Sequence, residues 1–550
     1  MNEIPIPDLL QSKAAVRIDV DATKFAVTLA FAGSTSGGMF AEALERTATP
    51  ASTWDPNGFA ADLFLQQIVA KYFSIRAGNA EATLTSATFL LRLMANPPSD
   101  PAEIAFRRDI LHELSNQPEL RKALENVYRD LVRLRGQLES TGAGGAARRM
   151  DLNRHKLDTL TTVKRLFDHL AADFSTAQSG LRRLGEFGAA ILASEPYGSL
   201  RDLLSYDQQL ATLNLKISVG ADGEIRSFNV LSIEEAAQNP FVNPFWRRWL
   251  AVIELFVRGY KFSRSEVLSR LIDAVFTGID SQLVLLVQLI GDVEFYLGAL
   301  GFRDKALAAG LSVCLAELVE PEKPRELHGL FNVLLFLNGI TPVPCNLEID
   351  PTTTSILITG PNSGGKTRLL QSLGIAQLLA QNGLFVPAKS ARLVLATGLV
   401  TSLIEGTKVD QAEGRLGMEM MRIRSLFERL PPHSMVLLDE LCSGTNPSEG
   451  ERIVELVLGM FHKLRPQAFV TTHFLAFAQR LERENKVPGL RFLQVELGPD
   501  RRATYQFKIG VAQSSLAEAT AERLGVTGDQ LLQLVEQNLR KHRALLPPGD

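Results

Sequence analysis

Apolar residues change their spacing along the chain, and those changes predict its elements. From Ala82 to Leu204 they recur every three or four positions, as in Leu120, Leu124, Val127, Leu131 and Leu134, and again in Leu157, Leu160, Val163, Leu166 and Leu170. That period predicts amphipathic helices. The Gly-rich stretch Thr141 to Ala147 predicts a loop at which two long helices fold back on each other. Leu213, Leu215, Ile217 and Val219 then alternate with polar residues, Gly220 to Gly223 turns the chain, and Ile225, Phe228 and Val230 follow. This predicts a hairpin near 213–233. Helices resume from Pro244 to about Glu320, and Pro321 to Pro344 reads as a proline-punctuated linker.

From Leu347 the period changes again. Short apolar runs at Ser355 to Thr359, Met435 to Leu438, Ala468 to Thr471, Arg491 to Leu497 and Tyr505 to Ile509 alternate with helical stretches, as in an α/β sheet. Ser515 to Leu524 and Gly528 to His542 read as closing helices. The first 80 residues are mixed. Val16 to Val20 and Phe25 to Phe31 predict strands, Ser34 to Gly38 a loop, and Ala60 to Arg76 a helix. The expected organisation is an N-terminal segment 1–80, a helical core or lever 81–320 with its hairpin, a linker 321–346, and an α/β domain 347–550 with C-terminal helices.

With 550 residues, 45% apolar and 22% charged, the chain can build two to four cores and is not bulk disorder. A formal net charge of -3 excludes a strongly basic nucleic-acid binder and leaves room only for a local basic patch. Arg107-Arg108, Arg148-Arg149, Arg182-Arg183 and Arg247-Arg248 read as solvated helix faces, and Trp246 and Trp249 as packing residues. The three cysteines, Cys314, Cys345 and Cys442, are far apart, which excludes a disulfide framework and a zinc cluster. The first residues lack a signal-peptide core. The apolar run Leu283 to Phe302 contains Asp292 and Glu294, which are costly in a bilayer, so a buried helix is expected, with no membrane contact and a cytoplasmic location.

The chemistry concentrates in the C-terminal third. Gly360-Pro361-Asn362-Ser363-Gly364-Gly365-Lys366-Thr367 has the P-loop spacing, follows a predicted strand and opens a predicted helix. Glycines there let backbone N–H groups wrap phosphate oxygens, and the helix N-terminus adds positive potential. Lys366 is expected to reach the β- and γ-phosphates of ATP, and Thr367 to place its hydroxyl on Mg²⁺. Asp439 and Glu440 end the apolar run Met435 to Leu438. Strand C-termini are where ligands bind in open α/β sheets. Asp439 is expected in the Mg²⁺ shell and Glu440 as the group that activates water. His473 ends the next apolar run and is expected to sense the γ-phosphate.

These motifs resemble the MutS family of DNA mismatch-repair ATPases. Thr359 to Thr367 resembles the family's TGPNMGGKST, Gly383 to Ala388 its GxxVPA, Asp439 to Thr445 its DELGRGT with Gly450 after it, and Phe469 to His473 its FATH. Leu93 to Leu124 is similar to the start of its helical core, and Gly510 to Gly525 to its end. The resemblance implies a Mg²⁺-dependent ATPase that pairs head to tail as a homodimer through its ATPase domains. ATP would then switch its hold on mismatched or otherwise structured DNA, without sequence preference.

The chain departs from the family in three places. Phe40-Ala-Glu42 spells the family's Phe-x-Glu wedge, but its segment is too short for the mismatch-reading domain and lacks the surrounding aromatic and basic residues. It reads as chance, and the chain as a short member without that domain. The hairpin is the only room for a DNA clamp. Gly414 to Met420 stands where the family has STFM, without a serine or threonine. The alternative reading is an ATP-driven dimeric switch acting on another protein. A transporter cassette is disfavoured because no LSGGQ-like signature is present.

Overall fold

The computed structural model describes residues 4–34, 38–77, 80–82, 84–139, 148–207, 211–219, 225–235, 264–403, 415–442, 446–499, 502–513 and 526–545. The 141–147 loop, the 220–223 turn, Trp246 and Trp249, Arg247-Arg248, Gly414, residues 443–445 and the helix expected at 515–524 lie outside them. The chain divides into two compact units. One holds Met1–Thr49, Phe73–Leu90 and Ala105–Gly301; the other holds Pro50–Tyr72, Leu91–Ile104 and Phe302–Asp550.

The first unit is mainly helical. Pro118–Glu139 and Arg148–Asp173 are the two long helices. The apolar stripe of each is buried, from Leu120 to Leu134 and from Leu157 to Leu170. Asp130 on one accepts from Arg165 on the other, tying the pair across their flank. Gly188 on the helix Arg182–Leu192 permits close approach to Arg148–Asp173, because a methyl there would come within 2.3 Å of the Ala171 nitrogen. Ala211–Val219 and Ile225–Glu235 pair antiparallel as the expected hairpin.

The long helix Arg264–Ala308 contains the apolar run. Its segment Leu268–Ala308 is long and apolar enough to cross a membrane, yet 94% of its most apolar window is buried within the protein. The two acids that speak against a membrane are both paired. Asp292 accepts from Arg17 and from the Leu9 nitrogen. Glu294 accepts from Thr85, Ser86 and the Tyr128 hydroxyl. Burial pushes the Tyr128 phenol well above its usual range, and the Glu294 carboxylate adds to the rise.

Several local expectations change here. Residues Val20–Phe31 form a helix, not a strand. Asp19 caps it, and its buried positions Thr23, Ala26, Val27 and Ala30 follow helical spacing. Arg17 and Ile18, expected in a strand, donate their nitrogens to the Gln288 side chain instead. Arg107 is not on a solvated face: it is fully buried, and its Nε donates to the Leu10 carbonyl. Arg183 likewise donates to the carbonyls of Asp8 and Gln11. These arginines bind an irregular N-terminal strap whose backbone acceptors need partners. Phe40 is 1% exposed, so it is packed in the core and cannot act as a wedge.

The second unit is built on a six-stranded sheet. Its order is Leu399–Ser402, Met435–Leu438, Gln467–Thr471, Ser355–Thr359, Leu490–Leu497 and Ala503–Ile509. The first five strands run parallel, and the last is antiparallel. The central strands Ser355–Thr359, Met435–Leu438 and Gln467–Thr471 are buried at every position, as apolar runs in a covered parallel sheet must be. A four-stranded sheet flanks it, in the order Glu317–Val319, Ser390–Val394, Arg325–Leu330 and Cys345–Ile349. The segment read as a linker therefore contains a strand, Arg325–Leu330, and a short helix, Val333–Leu337. Its prolines punctuate elements and do not mark a free connection. Arg325 is buried and donates to Gln467 and to the Thr353 carbonyl; burial lowers its pKa to about 10.

Residues 50–72 also belong to this unit. The helix expected over 60–76 is shorter, Leu65–Tyr72. Ahead of it, the Trp54 indole donates to the Ala396 carbonyl and Asp62 accepts from the Leu403 nitrogen. These contacts cover the edge strand Leu399–Ser402, a position where an uncovered strand invites mispairing. Leu63, fully buried, packs on the helix Lys366–Gln381, where a methyl at Gly374 would come within 3.1 Å of it. Leu63→Ala is expected to destabilise this unit by about 2–5 kcal/mol, the usual cost of emptying a buried leucine site. Urea denaturation would check it; a loss below about 1 kcal/mol would show that the N-terminal segment is not part of this core.

Candidate functional site

The strand Ser355–Thr359 delivers Gly360 to Gly365 to the N-terminus of the helix Lys366–Gln381. Gly365 has φ +86° and Gly360 φ +139°, values that side-chain-bearing residues rarely adopt. A methyl at Gly360 would lie 2.7 Å from Val495, and one at Gly364 2.8 Å from it. The loop is thus seated on the strand Leu490–Leu497, with room for backbone only. Pro361 and Gly364 are buried, whereas Asn362 and Ser363 are exposed at the loop's tip. The ring of Tyr505, itself at φ +60°, lies beside Gly365.

Lys366 is 3% exposed. Its Nζ donates to the carbonyls of Gly360 (3.0 Å) and Pro361 (3.2 Å) and lies 3.8 Å from Glu440. Burial lowers its pKa, and the charges of Glu440 and Asp439 oppose that shift. The cation is held inside the loop by carbonyls and carboxylates, the pairing that a buried charge requires.

Thr367 donates its hydroxyl to Asp439 Oδ2 at 2.5 Å. The other carboxylate oxygen, Oδ1, accepts from the hydroxyl of Thr471. Glu440 follows in a left-handed conformation, φ +48°, and its N–H donates to the same Thr471 oxygen at 2.9 Å. Of the sequence-predicted residues, Lys366, Thr367, Asp439 and Glu440 therefore come together. His473 does not join them by contact: it is exposed, its ring packs against Phe474 with centroids 4.2 Å apart, and among the described residues that ring makes no hydrogen bond.

Thr471 is the residue that sequence reasoning passed over. It was legible only as a polar end to an apolar run. Its importance comes from strand order, which puts Gln467–Thr471 between the strands that carry the loop and Asp439. A second such residue is Thr359, fully buried, which accepts from the Ala512 nitrogen and donates to the Leu493 carbonyl.

A glycine-rich loop between parallel strand and helix, facing an acidic strand end, is the arrangement of the α/β nucleotide-binding class. Within it, residues 356–541 match the family model of MutS domain V. The chain is 36% identical over 207 residues to Endonuclease MutS2 of Thermus thermophilus, covering 37% of this chain and 26% of that protein. With Endonuclease MutS2 of Thermomicrobium roseum it shares 31% identity over 243 residues, 42% of this chain and 30% of the relative. The matches thus span about a quarter to a third of the relatives' length.

Gly365→Ala is expected to destabilise the unit by about 1–2 kcal/mol, the cost of a left-handed conformation for a residue with a side chain, because the new methyl would also lie 3.1 Å from the Tyr505 ring. Thermal unfolding would measure it. An unchanged midpoint would show that the turn is not held in this conformation.

Proposed function

We propose that this chain is a MutS-type ATPase that binds Mg²⁺-ATP at Gly360 to Thr367 and uses its hydrolysis to change its hold on structured DNA. The observation that carries the reading is the contact between Thr367 and Asp439 beside the buried Lys366. A hydroxyl and a carboxylate are hard oxygen donors. One or two protein ligands completed by phosphates and water are what Mg²⁺ prefers. The glycine cradle, which has no room for side chains at Gly360 or Gly364, fits a polyphosphate approached by backbone N–H groups.

In this reading the loop N–H groups and Lys366 bind the β- and γ-phosphates, and Thr367 and Asp439 hold the metal. Mg²⁺, when bound, neutralises charge that develops on the phosphoryl oxygens. Glu440, a third exposed at its side chain, takes the proton of the attacking water. His473 stands at the end of the neighbouring strand as the γ-phosphate sensor. Two copies would pair through their ATPase units. The relatives carry the name endonuclease, but the match spans too little of them to bring cleavage to this chain. The net charge of -3 also supports a second reading, an ATP-driven switch acting on a protein partner.

Lys366→Ala is expected to weaken ATP binding by about thirtyfold or more, since it removes a buried charge partner worth ~2–5 kcal/mol. Titration with a fluorescent ATP analogue reads this directly, and normal affinity would sink the assignment. Glu440→Gln is expected to keep ATP binding while hydrolysis falls by about 10²–10⁴-fold; unchanged turnover would remove Glu440 as the base. DNA binding separates the two readings. Affinity for mismatched or branched duplexes should rise as salt falls, with a log–log slope of about -0.9 per phosphate contacted. No salt-dependent binding to any DNA would leave the protein-switch reading.

A further inference from the structure

We propose that Thr471 is a positioning residue that sets the metal-holding carboxylate and the water-activating carboxylate of this site together, through one hydroxyl; the inference rests on the ATPase reading. Thr471 is 1% exposed at the C-terminal end of Gln467–Thr471. That strand lies between the loop strand and the Asp439 strand, in parallel register with both: Val470 faces Leu438 and Thr471 faces Ile358. Its hydroxyl makes two bonds of opposite sense. It donates to Asp439 Oδ1 and accepts from the Glu440 N–H.

The first bond fixes which oxygen of Asp439 is committed to the protein. Oδ1 is occupied by Thr471, while Oδ2 meets Thr367, the other residue assigned to the metal. Without the hydroxyl, the carboxylate is free to rotate and the Thr367–Asp439 pair loses its fixed geometry. Groups that orient a metal ligand in this way are typically worth 10–100-fold in metal affinity or activity. The second bond acts on Glu440. Its backbone is in the left-handed region, at φ +48°, which a residue other than glycine keeps only when its surroundings enforce it. The N–H held by Thr471 is one such restraint, and it aims the Glu440 side chain toward Lys366, 3.8 Å away. Valine, of the same shape, can make neither bond.

The test compares the full chain with Thr471→Val, Thr471→Ser and Thr471→Ala. A fluorescent ATP analogue is titrated with and without MgCl₂, ATP turnover is measured across a MgCl₂ series, and thermal unfolding checks each fold. Without metal, Thr471→Val should bind the analogue within about twofold of the unaltered chain. Its half-saturating MgCl₂ should rise by about 10–100-fold, and the affinity gained on adding metal should shrink by a similar factor. Turnover at saturation should fall as well, and Thr471→Ser should restore all three. If the valine variant does not fold, Thr471→Ala supplies the same comparison. Unchanged half-saturating MgCl₂ in a folded variant, or equal losses with and without metal, overturns the inference and leaves the ATPase reading intact. An unaltered chain that neither binds nor hydrolyses ATP overturns both.

Discussion

Asp439 is held between two hydroxyls that reach it from different parts of the chain, Thr367 at the head of the P-loop helix and Thr471 at the end of the intervening strand. The site depends on that double hold. A carboxylate at a strand end has free rotation about its side chain, and two donors on its two oxygens remove it. For both to arrive, the P-loop helix must start in register with the sheet. That start is set by Gly365 in a left-handed turn and by a loop whose glycines sit against Val495. The three strands that carry the loop, Asp439 and Thr471 are buried at every position, so their spacing is fixed by close packing.

Several buried charges among the described residues have partners on distant segments. Asp292 is paired with Arg17, Glu294 with Thr85, Ser86 and Tyr128, and Arg325 with Gln467 and Thr353. Such pairs add little net stability, because removing charges from water offsets most of the attraction. They do penalise any packing that would leave one of them alone, and so favour a single packing within each unit. Cys345 and Cys442 are buried thiols whose pKa burial pushes up to about 12, which makes them unreactive packing residues.

The grouping of Lys366, Thr367, Asp439 and Glu440 was legible in the sequence because the motifs that carry them are local. A phosphate loop needs its glycines, lysine and threonine within a single turn, and the Asp439-Glu440 pair follows directly on its strand. The five expected strands of the α/β region are also present; three of them are buried at every position, and such a run reads as apolar whatever it pairs with. What was not legible depends on pairing across long distances. Val20–Phe31 contains β-branched and aromatic residues, and only its buried face against the rest of its unit reveals a helix. Arg107 looks like a surface residue until the strap that accepts from it is in place. The segment around Arg325 looks like a linker because its prolines are visible, whereas its strand partners Cys345–Ile349 and Ser390–Val394 are not. Thr471 stands out only once strand order is known.

The placement of residues 50–72 has a consequence for synthesis. The Tyr72 hydroxyl donates to the Phe385 carbonyl, 313 positions later in the chain. A ribosome adding about 5–20 residues per second would take roughly 15–60 s to join those partners. During that time Trp54, Leu63 and Tyr72, all buried in the finished unit, lack the later contacts that complete their burial, such as those of Trp54 with Ala396 and Tyr72 with Phe385. This unit therefore cannot be completed before Phe385 has been made. Residues 50–72 are thus made well before the segments around Phe385 and Ala396 that they pack against.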